Sequence, residues 1–392
     1  MYDFSPTPEQ EAVLARTRRI MEEHIYPAEA ELDEETGLPP ARMRALQQTV
    51  KDAGLWAAHL PQEAGGLGMG MLTLGLMNEL LGRSLIAPRA FGTSAPDTGN
   101  QEILWVAGTP EQKERYLAPC VAADMYSAFS MTEPEFSGSD PVAMGTTATL
   151  DGDEWVINGH KWFATGASQA DFIIVMVVTD PDAPPHQRAS MLIVDKGTPG
   201  LHVVRDVPVM GVHFIGHAEL RFEDCRVPKS NLLGPRGEGF RLAQVRLGPG
   251  RITHCMRWIG VMNRSFELML AHSQRRQTRG RKLADFETIQ TYIADSYADI
   301  QASRLLTLHA AWKMDRDEDA RKEISLIKFF GANALQRVID RAIQVHGALG
   351  FSKDTPLEGF YREARAARIY DGVDEVHRVV VARRLLREYA RD

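Results

Sequence analysis

The spacing of apolar residues changes twice along the chain, and this change limits the fold more than any other feature. In the first third, and again after about Gly239, apolar residues recur at the three- and four-residue intervals of amphipathic helices. From about Ser127 onward, short β-rich runs follow one another and are separated by Gly, Pro and Asp. Strands without helices between them argue against βαβ units, so an antiparallel sandwich or barrel is predicted between two helical regions.

Local signals predict individual elements within these regions. Thr7, Pro8 and Gln10 form a capping box with proline at the first helical position. Two β-rich runs around Asp-Gly-Asp predict a hairpin, and FIIVMVV at 172–178 predicts a buried strand. After residue 239 the periodicity predicts four long helices, enough for a four-helix bundle, at roughly 252–275, 286–314, 322–346 and 374–389.

Composition narrows the class of protein. The 392 residues carry a formal net charge of -7, which does not favour sequence-independent binding to nucleic acid. Three separated cysteines, no signal-like start and no apolar run of membrane length favour a cytoplasmic protein without a membrane span. Arg383, Arg384 and Arg387 near the end are interpreted as a solvated or interfacial helix face rather than a nucleic-acid site.

Several familiar cofactor and catalytic motifs are missing. The glycine-rich run at 65–71 fails the GxGxxG pattern because Met71 stands at the third glycine position. No GxSxG elbow is present, and the histidines form no metal-binding cluster, so no metal site is predicted. Any nucleotide cofactor must therefore be bound without a Rossmann or P-loop signature.

Five segments, in order, resemble motifs of the acyl-CoA dehydrogenase family: SAFSMTEPEFSGSD (127–140), NGHKWFATGA (158–167), FEDCRVPKSNLLG (222–234), RRQTRGRKL (275–283), and IQVHGALGF (343–351) followed by RIYDGVDEVHR (368–378). The resemblance implies an α+β fold with an N-terminal helical domain at 1–126, a central antiparallel β-sandwich or barrel at 127–235 and a C-terminal four-helix bundle at 236–392. RLGPGRITHCMR at 246–257 is similar to a subgroup found fused to kinase-like domains, whose acyl chains are often long, branched or 4-hydroxylated.

The resemblance also implies FAD as the cofactor. Phe163 would stack on the flavin and Thr165 would hydrogen-bond near its N5, although Phe163 alone would be interpreted as a core residue. Arg276 and Thr278 would reach the FAD diphosphate of a neighbouring subunit, which implies a homodimer or homotetramer. The cofactor-binding residues implied in this way are Phe129, Met131, Thr132, Ser139, Phe163, Thr165, Arg276, Thr278, Gln344, His346, Gly347, Val373 and Glu375.

Asp371 stands where the family carries its catalytic Glu, so it is the predicted base for the α-proton of a fatty thioester. Burial by the acyl chain is expected to raise the pKa of this carboxylate and strengthen the base. Gly372 would let the thioester approach, Arg251 would pair with CoA, and Ser139 would contact pantetheine or flavin phosphate. The alternative interpretation of Asp371 is an N-cap of the last helix.

The predicted activity is FAD-dependent oxidation of an acyl-CoA to the trans-2-enoyl-CoA, with electrons passed to an electron-transferring flavoprotein. Two alternatives stay open: a flavin oxidase of the same fold, such as a nitroalkane oxidase, and a non-catalytic DNA-binding relative of the alkylation response. Departures from the family pattern include Gly248, where relatives use Asp to bind pantetheine, and Gly250, where some relatives carry the base.

Overall fold

The computed structural model describes residues 3–211 and 214–390, and its N-terminal region is helical. Thr7 caps the first helix through the predicted capping box with Gln10, and Pro8 occupies the first turn. The glycine-rich run leads into a helix whose first backbone N–H groups, at Met71 and Leu72, donate to the carboxylate of Asp315. The helices of this region are α1 (Pro8–Ile20), α2 (Tyr26–Ala28), α3 (Pro40–Asp52), α4 (Gly70–Leu81), α5 (Ala87–Ala90), α6 (Asp97–Ala107), α7 (Pro110–Gln112) and α8 (Ala118–Ala122).

A single curved sheet forms the middle of the chain, with the order β6-β7-β3-β2-β4-β5-β8 and with β1 against β4. The predicted hairpin is present, since Asp151 pairs with Glu154 across its turn, and the predicted strand at 172–178 is almost wholly buried. The strands are β1 (Ser127–Ser130), β2 (Thr147–Asp151), β3 (Glu154–Thr165), β4 (Phe172–Val178), β5 (Ala189–Asp195), β6 (Leu201–Asp206), β7 (His217–Pro228) and β8 (Leu232–Leu233).

The prediction of an antiparallel sheet is wrong at two pairings, because β1 and β2 both run parallel to β4. β1 lies beside the first four residues of β4, and Thr147 at the start of β2 lies beside Val178 at its last residue, so β1 and β2 follow one another along β4 in the same direction. A sequence pattern shows strands but not which of them pair, and a parallel pairing of this kind cannot be made by a tight hairpin.

The C-terminal region is a helical bundle in which α11 packs against α9, α10 and α14. Its first long helix starts at Gly239, thirteen residues before the predicted start near 252, because Gly248, Pro249 and Gly250 hide its continuity. The other three long helices begin and end within about one residue of their predicted limits. The elements are α9 (Gly239–Arg275), β9 (Gln277–Thr278), β10 (Arg281–Lys282), α10 (Glu287–Met314), α11 (Arg321–His346), α12 (Ala348–Phe351), α13 (Leu357–Ala366) and α14 (Asp374–Tyr389).

One apolar core joins the two helical regions, with Met77 and Leu81 of α4 in the same cluster as Ile259 of α9 and Leu335 of α11. The sheet has its own core around Trp155. The proposed limits at residues 126 and 235 fall between secondary-structure elements, and they remain a working division of the chain. Within residues 3–211 and 214–390, no helix combines the length and apolar character needed to cross a bilayer.

Candidate active site

Asp371 lies in a tight turn between α13 and α14, where its φ of +55° is left-handed and that of Gly372 is +102°. Three side chains hold the backbone of this turn. Arg251 Nε donates to the Asp371 carbonyl oxygen at 2.9 Å, and His377 Nε2 lies 3.1 Å from the same oxygen. Lys328 Nζ donates to the Gly372 carbonyl at 3.2 Å. The strained turn is therefore imposed by its surroundings, as functional sites often require.

The carboxylate of Asp371 faces a cluster of positive charge. His254 Nε2 lies 3.6 Å from Asp371 Oδ2. Burial alone would raise the pKa of Asp371, but the positive charges of His254, Arg251, Arg246 and Lys328 together outweigh burial and lower it. His254 contributes its charge only when it is protonated, whereas Arg251, Arg246 and Lys328 lower the pKa of Asp371 at neutral pH as well. The carboxylate is ionised, and the expected rise in its pKa must come from bound substrate.

The interpretation of Asp371 as a helix cap is wrong. The residue at the cap position of α14 is Val373, and no side chain caps the helix. Asp374, the first residue of the helix, accepts hydrogen bonds from Arg368 Nε and Asn333 Nδ2, each at 2.8 Å. The carboxylate of Asp371 is thus not used for local backbone structure.

Arg246 and His254 were not predicted, and Arg246 lies between the surroundings of Asp371 and strand β1. Its guanidinium carbon lies 4.3 Å from the ring centroid of Phe129, while its charge lowers the pKa of Asp371. Nearby, burial raises the pKa of Glu102 to about 8 against the opposing charge of Arg246. The eight-residue spacing of Arg246 and His254 on one helix face could have suggested a shared site.

The loop after β1 is tied to strand β3 by reciprocal hydrogen bonds. Thr132 Oγ1 donates to the Trp162 carbonyl at 2.8 Å, and the Trp162 N–H donates back to the Thr132 carbonyl at 3.1 Å. The buried Lys161 ammonium donates to the Met131 carbonyl at 2.7 Å and to Glu133 at 2.8 Å. Met131 and Thr132 are therefore held rigidly at the point where the resemblance places flavin contacts.

The exposure of Phe163 contradicts the interpretation of this residue as part of the core. Its ring is 43% exposed and its φ is +51°, which is unusual for a bulky side chain. The ring of Trp162 meets it edge-on at 4.9 Å, and Thr165 Oγ1 lies 3.0 Å from His217 Nδ1 on the same strand end. An exposed ring held in a strained conformation beside polar groups suits a planar aromatic ligand such as a flavin.

The remaining predicted cofactor residues form a separate exposed group, apart from Asp371. Arg276 follows α9 by one residue and stands 25 residues beyond Arg251, a distance of about 37 Å along the helix. Thr278 lies on β9 and is exposed, as are Gln344 and Gly347.

Among this group His346 is different, because its side chain is buried. Its Nδ1 lies 2.7 Å from the Ala342 carbonyl oxygen, and its ring stacks on His272 at 4.3 Å. These contacts give the imidazole a structural setting, and a cofactor contact stays a prediction.

Four further predicted residues lie in elements already described. Val373 and Glu375 stand two and four residues after Asp371, and Glu375 is exposed. Ser139 is exposed in the loop after β1, with its hydroxyl 2.7 Å from that of Ser137. Arg251 Nε donates to the turn at residues 370–372, which is called the base turn below after the predicted role of Asp371, so the predicted pairing of Arg251 with CoA would need another of its nitrogens.

Family models for the N-terminal, middle and C-terminal domains of acyl-CoA dehydrogenase match residues 7–124, 128–225 and 237–386. The chain belongs to the acyl-CoA dehydrogenase family. Members of this family are oxidoreductases that bind FAD. The exposed Phe163 ring and the Arg-rich turn after α9 fit such a cofactor, because they offer a flat apolar surface and guanidinium groups for a diphosphate.

Relatives of this family resemble the chain over nearly its whole length. FadE2 of Mycobacterium tuberculosis is 42% identical over 97% of this chain and 96% of FadE2. Acyl-CoA dehydrogenase family member 11 of Rattus norvegicus is 37% identical over 99% of the chain, which spans about half (52%) of that protein.

Solved structures of the family also superpose on the chain. The butyryl-CoA dehydrogenase of Megasphaera elsdenii has a TM-score of 0.87 at 29% identity, covering 98% of this chain and all of that one. The FAD complex of PigA has a TM-score of 0.88 at 25% identity and covers 98% of this chain and 99% of PigA. The predicted family and its order of helical, β and helical regions are confirmed.

Proposed function

We propose that this protein oxidises the α,β-bond of a fatty acyl-CoA to the trans-2-enoyl-CoA, with Asp371 removing the α-proton. The observation that carries the proposal is the largely buried Asp371 carboxylate, which lies 3.6 Å from His254 and among the positive charges of Arg246, Arg251 and Lys328. On α9, a Cβ atom added at Gly248 or Gly250 would meet no neighbouring element within 4 Å. These two glycines, which precede Arg251 in the chain, leave space for a ligand on α9.

The positive charges around Asp371 have two opposing effects on this reaction. They lower the pKa of Asp371 and so weaken it as a base in the free protein. The same charges, from Arg246, Arg251 and Lys328, stabilise negative charge that develops on the substrate when the proton leaves. An acyl chain that displaces water from the site strengthens both the base and this stabilisation, since charges interact more strongly in a drier environment.

FAD, when bound, supplies the two-electron acceptor for the β-hydrogen. The residues proposed to hold its ring lie on β1, on the loop that follows it and on β3, which Lys161 and Thr132 tie together: Phe129, Met131, Thr132, Phe163 and Thr165. Arg276, Thr278, Gln344 and Gly347 are proposed to serve the FAD of a second copy, because they face outward and lie far from the base of their own chain.

The proposed electron acceptor is an electron-transferring flavoprotein. Among the solved neighbours is a chain from the study of the electron transferring flavoprotein of Acidaminococcus fermentans, with a TM-score of 0.86 at 31% identity over 98% of this chain and 100% of that one. The proposed compartment is the cytoplasm, since Cys120, Cys225 and Cys255 are all unpaired and buried.

Anaerobic mixing of the FAD-loaded protein with short, long, branched and 4-hydroxylated acyl-CoAs tests the proposal. Bleaching of the flavin absorbance by at least one thioester is expected, and the preferred chain identifies the substrate class. Rapid peroxide release with nitroalkanes and no response to any acyl-CoA would instead favour the oxidase. A steeply salt-dependent affinity for DNA, again without bleaching, would favour the non-catalytic relative.

A further inference from the structure

We propose that His254 is a positioning residue for the base: once the Asp371 carboxylate has taken a proton, His254 accepts a hydrogen bond from the new carboxyl group and so fixes its orientation. This role deepens the proposed function and rests on it. It concerns a side chain of α9 that sequence patterns did not single out.

The imidazole of His254 lies beside both the Asp371 carboxylate and the ring of the preceding residue, Tyr370. His254 Nε2 is 3.6 Å from Asp371 Oδ2, and the His254 ring lies 5.1 Å from that of Tyr370. One turn further along α9, Trp258 Nε1 donates to the Tyr370 hydroxyl at 2.9 Å. Two side chains on one helix face therefore hold two successive residues of the base turn, and His254 is the one directed at the carboxylate.

The other cations around Asp371 donate hydrogen bonds to acceptors other than its carboxylate. Arg251 donates to the Asp371 carbonyl rather than the carboxylate, and Lys328 donates to the carbonyls of Ala367 and Gly372. Arg257 Nε donates to Asn78 Oδ1 at 2.7 Å.

Arg246 Nε likewise lies 3.3 Å from an acceptor elsewhere, Asn100 Oδ1. In the described part of the chain, His254 alone brings a basic nitrogen within 4 Å of the Asp371 carboxylate. The arginines and the lysine stabilise the turn and supply positive charge around Asp371. His254, in contrast, lies against the Asp371 carboxylate itself.

The imidazole is neutral at physiological pH. Burial lowers the pKa of His254 to about 4, with help from the charges of Arg257, Lys328 and Arg246 and against the opposing charge of Asp371. A neutral imidazole offers one ring nitrogen with a free lone pair. With its proton on Nδ1, His254 presents Nε2 as an acceptor toward Asp371.

The proton balance of the reaction then explains what His254 does. The α-proton passes to Asp371, which becomes a carboxylic acid, while the hydride leaves the β-carbon for the electron acceptor. The new O–H of Asp371 points its proton at His254 Nε2, and a small side-chain rotation closes the 3.6 Å gap to hydrogen-bond length. No charge is transferred to His254, and the acid form of the base gains a partner in a site otherwise full of donors.

Two substitutions of His254 distinguish a hydrogen-bonding role from a role in packing alone. His254→Leu keeps much of the volume but removes the acceptor, and His254→Gln retains an acceptor oxygen that can reach a similar position. The rate of exchange of the substrate α-hydrogen with D2O is measured anaerobically by mass spectrometry, beside flavin bleaching, FAD content and KM. Exchange reports proton removal independently of turnover.

His254→Leu is expected to slow exchange roughly tenfold, the effect of one lost hydrogen bond, with KM nearly unchanged. The acid limb of its pH profile should move to lower pH, because the protonated form of Asp371 loses its partner. His254→Gln should recover most of the rate and return the limb toward that of the unmodified protein.

Equal rates and pH profiles in all three proteins would overturn the role of His254 while leaving the dehydrogenase intact. Equal slowing in both variants with a raised KM would overturn it as well, since packing alone would then explain the effect. If the unmodified protein neither exchanges nor bleaches with any acyl-CoA, the proposed function fails and the role of His254 fails with it.

Discussion

The base turn and the Arg-rich turn after α9 are built in opposite ways. Around Asp371, the backbone carbonyls of Asp371 and Gly372 are contacted by three side chains of the same chain, those of Arg251, His377 and Lys328. Around Arg276 the residues are exposed and face away from the protein. The first region is complete within one chain, whereas the second presents cationic groups that a ligand or another copy must use.

This difference determines what substitutions should do in each region. Changes in the base turn disturb a packed and charged interior, so they affect chemistry and stability together. Changes in the Arg-rich turn should weaken FAD binding and leave the fold intact, and their effects should depend on salt because exposed charges are screened.

The largest effect is expected from removing the charge of Asp371. Asp371→Asn keeps the shape of the side chain and tolerates the left-handed backbone, so flavin reduction should slow on the order of 10²- to 10⁴-fold without unfolding. Asp317→Asn is the matched control, since Asp317 has the same φ of +55° in an exposed turn. Stopped-flow absorbance measures both, and comparable rates for Asp371→Asn and the control would remove the assigned base.

A methyl group at Gly372 should break the packing of the base turn. Its Cβ would lie 2.7 Å from His377 Nε2, at a φ of +102° that other residues avoid. Gly372→Ala is expected to cost about 1–3 kcal/mol and most of the activity. Gly359→Ala, on α13, meets nothing within 4 Å and should be neutral or slightly stabilising. Denaturant unfolding compares the two, and equal stability would show that the turn is not constrained.

The exposed region should respond in FAD affinity instead. Arg276→Met is expected to weaken FAD binding about tenfold, by loss of one charge-assisted hydrogen bond, with little change in melting temperature of the apoprotein. Arg383→Met, an exposed arginine on α14, is the control. Fluorescence titration of FAD at two salt concentrations measures the difference. An unchanged affinity of Arg276→Met for FAD would show that this turn does not bind the cofactor.

The smallest effect concerns Glu102, whose buried carboxyl has a pKa of about 8. Because this pKa exceeds that of the unfolded chain, the folded state binds more protons, and stability falls as pH rises from about 4.5 towards 8. Glu102→Gln should therefore stabilise the protein at pH 8 by about 1 kcal/mol or more, with the gap closing towards pH 5. Glu114→Gln, at an exposed position, should show no such trend. Thermal melts across pH provide the test.

Much of the fold could be predicted because periodicity and caps are local. Thr7 and the run at 172–178 behave as their patterns indicate. The start of α9 was missed because a helix can pass through Pro249 when packing supports it, and propensity alone cannot reveal that support. The parallel pairing of β1 was missed because its partner β4 lies more than forty residues away.

The site was predicted less completely than the fold. Asp371 could be named from its motif, but His254 and Arg246 became visible only when α9 and the base turn were placed together. The direction of the pKa change at Asp371 depends on four basic side chains from two helices, and no linear spacing in the sequence encodes that sum. Arg251 also shows that a residue expected to meet substrate can hold the backbone of Asp371 as well.

The proposed reaction requires the Asp371 carboxylate to meet the α-carbon of a thioester bound beside FAD. A crystal structure of the FAD-loaded Asp371→Asn protein with an acyl-CoA would show whether it does. We expect the side-chain amide about 3–3.5 Å from the α-carbon, with the flavin on the opposite face of the substrate. A thioester held elsewhere, or a residue 371 side chain outside that range with the acyl chain in place, would contradict it.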